Sequence, residues 1–485
     1  MRAIIPAVLV MLIALFGARP LPAQNGGAGA SVMPVPGTPR PMGVDPSQAQ
    51  GQFLGGVTQG AATAGELSLS LDDAIGRGLK NNLGTLVGDQ ERRRSEASRL
   101  RALADLLPNL SVRAQASEQQ INLAAFGFSN FPGIAPIVGP FGIVDLRGYL
   151  TQRILDFKSL RNTQASGQIV KATEQNYQNS RDTVVLVVGG LYLQALAGES
   201  RVRSQRTQVE TAEAVYRQAV DYKTSGLIPA IDVLRAQVEL EADRQRLISA
   251  ENDFEKMKLS VAQAVGLPLA QRFRLTDGLS PESAPAVTLE QALDKAYDNR
   301  SDYRSAQSLV KAAEFARRSA AAERYPTVAA SFDYGTIGQS VTQNHGTFTA
   351  AIGVNIPIYE GGRTDAKITE ADAVLKQREA ERDALRSRIE FEVRTVFLDL
   401  KSTLDQVKLA SNAKTLAETQ VVQARDRFAA GVANSLEVVQ AQQALAVASD
   451  SYISSLFNYN LAKGSLARTA GQAEKLFRLF VLGDK

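Results

Sequence analysis

The chain repeats itself. Leu71-Asp72-Asp73-Ala74-Ile75 returns as Leu289-Glu290-Gln291-Ala292-Leu293, and the same shift of 218 positions carries Asn81 onto Asn299 and Pro108 onto Pro326. Further along, a shift of 205 positions carries Gly226 onto Gly431, Asp232-Val233-Leu234 onto Glu437-Val438-Val439, and Gly266 onto Gly471. One structural unit of roughly 190–200 residues therefore occurs twice, with one internal length change.

The same order of elements is read in each copy. A helix is predicted over 71–106 and again over 289–323, with Asp72 and Glu290 in the first turn, where the helix dipole favours anions. Pro108 and Pro326 mark the ends of these helices. Two strands follow in each copy, at about 109–120 and 143–155, and at about 327–338 and 347–359. Val328, Ala330, Phe332 and Tyr334 alternate with Ala329, Ser331, Asp333 and Gly335, and Leu146, Leu150 and Ile154 lie opposite Asp145, Arg147, Tyr149 and Arg153. This period of two suits a half-buried sheet or a membrane barrel with a wet lumen. The first copy carries extra residues between its strands, from Phe126 to Gly142, where an extracellular loop would lie.

A long helix comes next, over 156–224 and 361–430. About 69 helical residues span ~100 Å. Val184, Val188, Leu191, Ala195, Gly198, Val202, Val209, Ala212, Tyr216 and Ala219 follow steps of four and three, broken by Gln205. Ile389, Val393, Val396, Leu400, Val407, Ala410, Ala417, Val421 and Ala424 do the same in the second copy. That spacing keeps one seam against neighbouring helices. A Gly turn and a shorter helix (230–265 and 435–470) close each copy. The first and last helices together match the long one in length, so two short helices are expected end to end beside each long helix.

The ends of the chain have their own character. Arg2, the apolar run Ala7–Phe16 and the small-residue site Leu21-Pro22-Ala23 read as a signal peptide over 1–23. Elsewhere no stretch approaches ~18 uncharged apolar residues, so a membrane-resident form would be a closed β-barrel. Residues 24–66 read as a flexible Pro- and Gly-rich lead-in, 67–280 as the first repeat, 285–471 as the second, and 472–485 as a tail without a structural reading.

Several function classes are excluded. There is no Cys and one His, His345, in a polar loop-like stretch, so neither a thiolate zinc site nor a multi-His centre is available. No convergent carboxylate pair suggests an enzyme, and no cofactor or metal is expected. The net charge of +4 implies no polyelectrolyte partner, and the basic run Arg92-Arg93-Arg94 with its neighbouring Glu91 and Glu96 reads as a solvated helix face rather than a nucleic-acid site.

Four strands cannot close a barrel alone, and their edges would stay exposed. Three chains would supply twelve strands and a ring of helices around an open centre. The fold expected is mainly α with a transmembrane β part. The doubled unit, Asn81 and Asn299, Pro108 and Pro326, Ile358-Tyr359-Glu360-Gly361-Gly362, and the turns Tyr222–Gly226 and Phe428–Gly431 with the helices they open make the chain resemble the TolC-type outer-membrane efflux proteins. The resemblance covers about residues 67–471. It implies a homotrimeric exit duct, seated in outer-membrane lipid and extending into the periplasm. Its partners would be a periplasmic adaptor and an inner-membrane pump, in efflux or type I secretion. A soluble periplasmic coiled-coil adaptor or scaffold is the rival, disfavoured by the duplicated order of elements.

The resemblance also implies where to look for a gate. Asp232, Glu437, Gln440 and Phe428 fall at the narrow periplasmic end, Glu437 placing three like charges around a trimer axis. Phe428 has no hydroxyl and Ala433 no charge, so a tie from Asp232 to the second copy would be made differently here. Asp232 and Glu437 equally suit stabilisation of helix N-termini, and the Gly turns equally suit plain hairpins. Tyr222, Ser225, Gly226, Leu227, Val233, Leu234, Gly431, Val432, Ser435, Leu436 and Val438 are the expected adaptor-docking tips.

Overall fold

The computed structural model describes residues 51–127, 133, 135–279, 281–282 and 287–482. The expected signal peptide, 1–23, and most of the expected lead-in lie outside them.

Each predicted opening helix is two helices. In the first repeat β1 (Leu67–Leu69) leads into α1 (Leu71–Asn81) and α2 (Leu83–Ala104); in the second, α5 (Leu289–Asn299) leads into α6 (Ser301–Ala322). The breaks fall at Asn82 and Arg300, whose backbones are extended. Asn82 caps α2 by accepting from Gly84 N–H. Its amide also donates to Ala264 O (3.1 Å), while the Asn81 amide donates to Val265 O (3.1 Å). These are last-turn carbonyls of α4 (Ala230–Val265), which a helix end leaves without partners. The short helices of the first repeat therefore meet end to end, fastened by Asn81 and Asn82.

The lead-in is not loose throughout. Val57 N–H donates to Asn81 O (2.8 Å), Leu83 N–H donates to Gly55 O (2.9 Å), and Phe53 is buried. The Phe53 ring occupies the space a side chain at Gly84 would need.

The strands β2 (Asn109–Asn122), β3 (Ile137–Leu155), β5 (Thr327–Ser340) and β6 (Gln343–Asn355) form one antiparallel sheet in the order β2-β3-β5-β6. β3 starts at Ile137, well before the expected residue 143, taking in the last part of the presumed loop. β6 both starts and ends four residues early, and Ile356, Ile358 and Tyr359 lie beyond it, exposed. Register aligns Leu110, Leu150, Phe332 and Ala350 in one row and Val112, Gly148, Tyr334 and Phe348 in the next. That face is apolar and uncovered: Leu110 is 74% exposed, Val112 73% and Phe348 69%. The other face is polar. Arg147 bridges Asp145 (2.5 Å) and Asp333 (3.2 Å), and Arg113 and Arg147 both lie over the Tyr149 ring.

A second, two-stranded sheet pairs β1 in parallel with β4 (Phe273–Leu275). Three-residue strands leave no periodicity to read.

The long helices are α3 (Phe157–Thr224) and α7 (Arg363–Ala429); α8 (Ser435–Thr469) completes the second hairpin. α3 packs against α2 and α4 of its own repeat and against α6 and α8 of the other, so the repeats share one helical layer. Most of the heptad seam is buried, including Val184, Val188, Ala195, Val202, Ala212, Ile389, Val393, Val407 and Val421. α3 also has a window long and apolar enough to cross a membrane, but more than half of that window is buried in the protein.

The tail forms α9 (Ala473–Leu482). Its Phe477 ring lies where side chains at Gly189 and Gly464 would otherwise stand, and Phe480 and Val481 complete the contact. Arg181 on α3 pairs with Glu474 (2.6 Å) to fix the start of the helix.

Candidate functional site: the paired hairpin tips

At the far end of each hairpin from the sheet the chain reverses on a glycine. Gly226 has φ +72° and Gly431 φ +71°, a region where a Cβ is strained. Both turns close in the same way. Gly226 N–H donates to Lys223 O and Leu227 N–H to Tyr222 O; Gly431 N–H donates to Phe428 O and Val432 N–H to Arg427 O. These paired bonds satisfy the carbonyls at the ends of α3 and α7. The helices that follow start differently: Asn434 caps α8 by accepting from Glu437 N–H, whereas α4 opens at Pro229 with no side-chain cap.

The two tips pack on one another. Val215, Ala219, Val233 and Ala236 from the first hairpin join Val421, Ala424, Phe428, Val438 and Ala441 from the second in one buried cluster. Three ties cross it. The buried Ser435 hydroxyl donates to the buried Asp232 carboxylate (2.9 Å). The Tyr222 hydroxyl donates to Ala429 O (3.0 Å). The Tyr222 and Phe428 rings stand 5.6 Å apart, tilted by 49°. Asp232 also accepts from Arg235 on its own helix (3.2 Å).

Asp232 thus crosses to the second copy, though neither to Phe428 nor to residue 433. Its partner Ser435 was placed among the docking residues, and the hydroxyl opposite Phe428 is that of Tyr222. Glu437 pairs with Arg427 of its own hairpin (3.0 Å), a partner the sequence reading missed. Gln440 is exposed and joins neither tie.

The expected docking residues divide by exposure. Val233, Val438 and Ser435 are buried between the hairpins, whereas Leu227, Leu234, Val432 and Leu436 are exposed. Ile231 and Val238, absent from the expectation, are exposed beside them. Ser225 closes its own turn by donating to Asp221 O (3.0 Å). Among the described residues no group of three or more acidic, His or Cys side chains is placed to hold a metal. The tips offer a breakable seam and an apolar surface, not reactive chemistry.

A sequence profile of the outer membrane efflux protein family matches residues 75–267 and 292–472, one stretch for each repeat. The chain belongs to this family. The family consists of efflux ducts, not enzymes, and places the protein at the outer membrane with a periplasmic extension. Among its relatives, the pyoverdine export outer membrane protein OpmQ of Pseudomonas aeruginosa is 24% identical over 400 residues, covering 79% of this chain and 81% of the relative. The outer membrane efflux protein BepC of Brucella suis is 23% identical over 343 residues, covering 67% and 71%. The fold is similar to that of the Campylobacter jejuni CmeC outer membrane channel, with a TM-score of 0.72 at 16% identity over 90% of this chain and 93% of that one. The Vibrio cholerae outer membrane protein VceC gives a TM-score of 0.69 at 16% identity, over 83% and 96%.

Proposed function

We propose that three copies of this chain assemble into an outer-membrane exit duct, gated at the paired tips and docked there by a periplasmic adaptor that links it to an inner-membrane pump. The observation that carries this reading is the sheet. It has two open edges, β2 and β6, an uncovered apolar face and a polar face knit by Arg147, Asp145 and Asp333. In water such edges and such a face are unstable. Three copies joined edge to edge make a closed twelve-stranded barrel, apolar toward lipid and polar toward the lumen.

The helices support the same assembly. α2 and α4 flank α3 on one side and expose Leu86, Leu100, Val238 and Ile248. α7 lies at the other side and exposes Phe391, Leu398, Leu409 and Leu416. Two unlike apolar edges on one chain suit a head-to-tail ring.

In the closed duct the Asp232–Ser435 and Tyr222–Ala429 bonds hold each chain's hairpins together. Each Glu437 is paired with Arg427, so three copies near the axis present a cation-attracting ring once opening breaks that pair, and the exposed Leu227, Leu234, Val432 and Leu436 receive the adaptor. Electron microscopy of protein extracted from outer membranes tests the assembly: a three-fold cylinder is expected, and a water-soluble monomer overturns it. Planar-bilayer recordings test the gate, where Asp232→Ala together with Tyr222→Phe should raise open probability.

A further inference from the structure

Just beyond the tip cluster, where Val421 and Leu445 end it, the four helices of the two hairpins enclose a polar cavity of about 80 Å³. Gln208 comes from α3, Glu239, Asp243 and Arg246 from α4, Arg425 from α7 and Gln442 from α8. Most of its polar atoms are committed. Arg246 donates to Asp243 Oδ1 (2.6 Å) and Glu239 Oε1 (2.7 Å), and Gln443 donates to Glu239 Oε2 (3.2 Å).

Two groups are not. Gln442 is only 8% exposed, yet its Nε2 has no hydrogen-bond partner. Gln208 Oε1 is buried without a partner. Each such group costs about 1–3 kcal/mol if left dry.

The chemistry of the free groups selects the ligand. One donor and one acceptor are the complement of a small molecule that both accepts and donates a bond. A cation would meet the Gln442 amide N–H and the Arg246 and Arg425 guanidiniums; an anion would meet two carboxylates. Water meets neither objection, and the volume holds two or three molecules at ~30 Å³ each. Burial pushes the Asp243 carboxyl up despite Arg246, the state of a carboxylate short of solvation.

We propose that this cavity is a structural water site bridging Gln208 of the first hairpin to Gln442 of the second. It makes the seam above the tip exchangeable where the seam below is dry. Resting on the duct reading, a second step follows: the hairpins part as far as this level when the tip opens, because their polar contacts here are already made through water.

A map of the full chain that resolves ordered solvent tests the site. Density within hydrogen-bond reach of both Gln442 Nε2 and Gln208 Oε1 is expected. A direct Gln442–Asp243 bond closing the cavity, or an anomalous peak there in rubidium-soaked crystals, overturns the proposal. The second step is read by single-channel recording of Gln208→Met/Gln442→Met, which dries the seam at similar volume. Open probability should fall several-fold while single-channel conductance stays unchanged. Wild-type channels with an unaltered open probability in the variant overturn the step and spare the duct. Wild-type protein that forms no channel overturns the duct and leaves the water site to be judged on the map alone.

Discussion

The two junctions where short helices meet end to end pose one backbone problem and solve it with different chemistry. In both, a broken opening helix abuts the end of the closing helix at a glycine of positive φ, Gly266 at +70° and Gly471 at +71°. In both, a Cβ on that glycine would collide with the opposing helix end, at Asn81 in one case and at the backbone of Asn299 and Arg300 in the other. The first junction is then fastened by neutral amides, Asn81 and Asn82. The second puts Arg300 at the break, where its guanidinium binds Asp302 (2.6 Å) and Glu392 (2.6 Å) and is almost wholly buried. Duplication preserved the geometry and left the chemistry free to diverge. Of the two fasteners, only the second carries ionised groups whose protonation can change with pH.

Arg300→Met should show the largest effect. It strands the Asp302 and Glu392 carboxylates around a site stripped of its cation, a loss of about 3–5 kcal/mol. Asn82→Ala at the matching position removes a cap and a donor to two buried carbonyls, about 2–3 kcal/mol. Denaturant midpoints of the extracted protein measure both. Equal losses would mean that the shared backbone, not the fastener, governs each junction.

Acid sharpens the contrast. Burial pushes the Asp302 carboxyl up, but hydrogen bonding and the charge of Arg300 outweigh it, so Asp302 sits below its usual 3.8. A carboxylate depressed in the folded state contributes stability that is whole above pH 3.8 and is lost as the pH falls through the folded value. Asp302→Asn should therefore flatten the acid limb of the stability profile, while Asn82→Ala shifts the profile down without changing its slope. Parallel profiles for wild type and Asp302→Asn would break the comparison.

What the sequence disclosed and what it hid follow the same division. The heptad seam and the turn glycines are local patterns, and their positions in the structure match their spacing. Asn81 and Asn299 are visible as a repeated pair, but the bond that Asn81 makes requires the end of a helix more than 150 residues away. Asn82 and Arg300 interrupt helices that composition alone would continue. At the tips, Asp232 could be singled out for its charge. Ser435 is legible as a docking residue and not as the partner of Asp232, because a hydroxyl at a helix start reads as a cap. The helix Ala473–Leu482 carries Phe477, Phe480 and Val481 at helical spacing, yet a ten-residue amphipathic stretch gains meaning only beside the notch made by Gly189 and Gly464.

The repeat comparison extends to one lysine on each closing helix, related by the same shift of 205 positions: Lys258 and Lys463. Lys258 is partly exposed, pairs with Glu255 (3.3 Å) and lies over Phe254 and Phe273. Lys463 is fully buried over Tyr459 and donates to Val481 O (3.0 Å) and Glu282 O (3.2 Å), tying the tail helix and the link between repeats to α8. Burial lowers it from 10.5 to about 8, against the weaker opposing pull of Glu282. Between those values the unfolded chain holds a proton that the folded chain has released, so this lysine makes stability rise with pH over that window. Lys463→Met should remove that rise and loosen the tail helix, seen as faster amide exchange in Ala473–Leu482, whereas Lys258→Met should leave both unchanged. A tail helix equally protected in Lys463→Met would show that Phe477 alone holds it, and that the buried ammonium answers a packing accident of the second repeat.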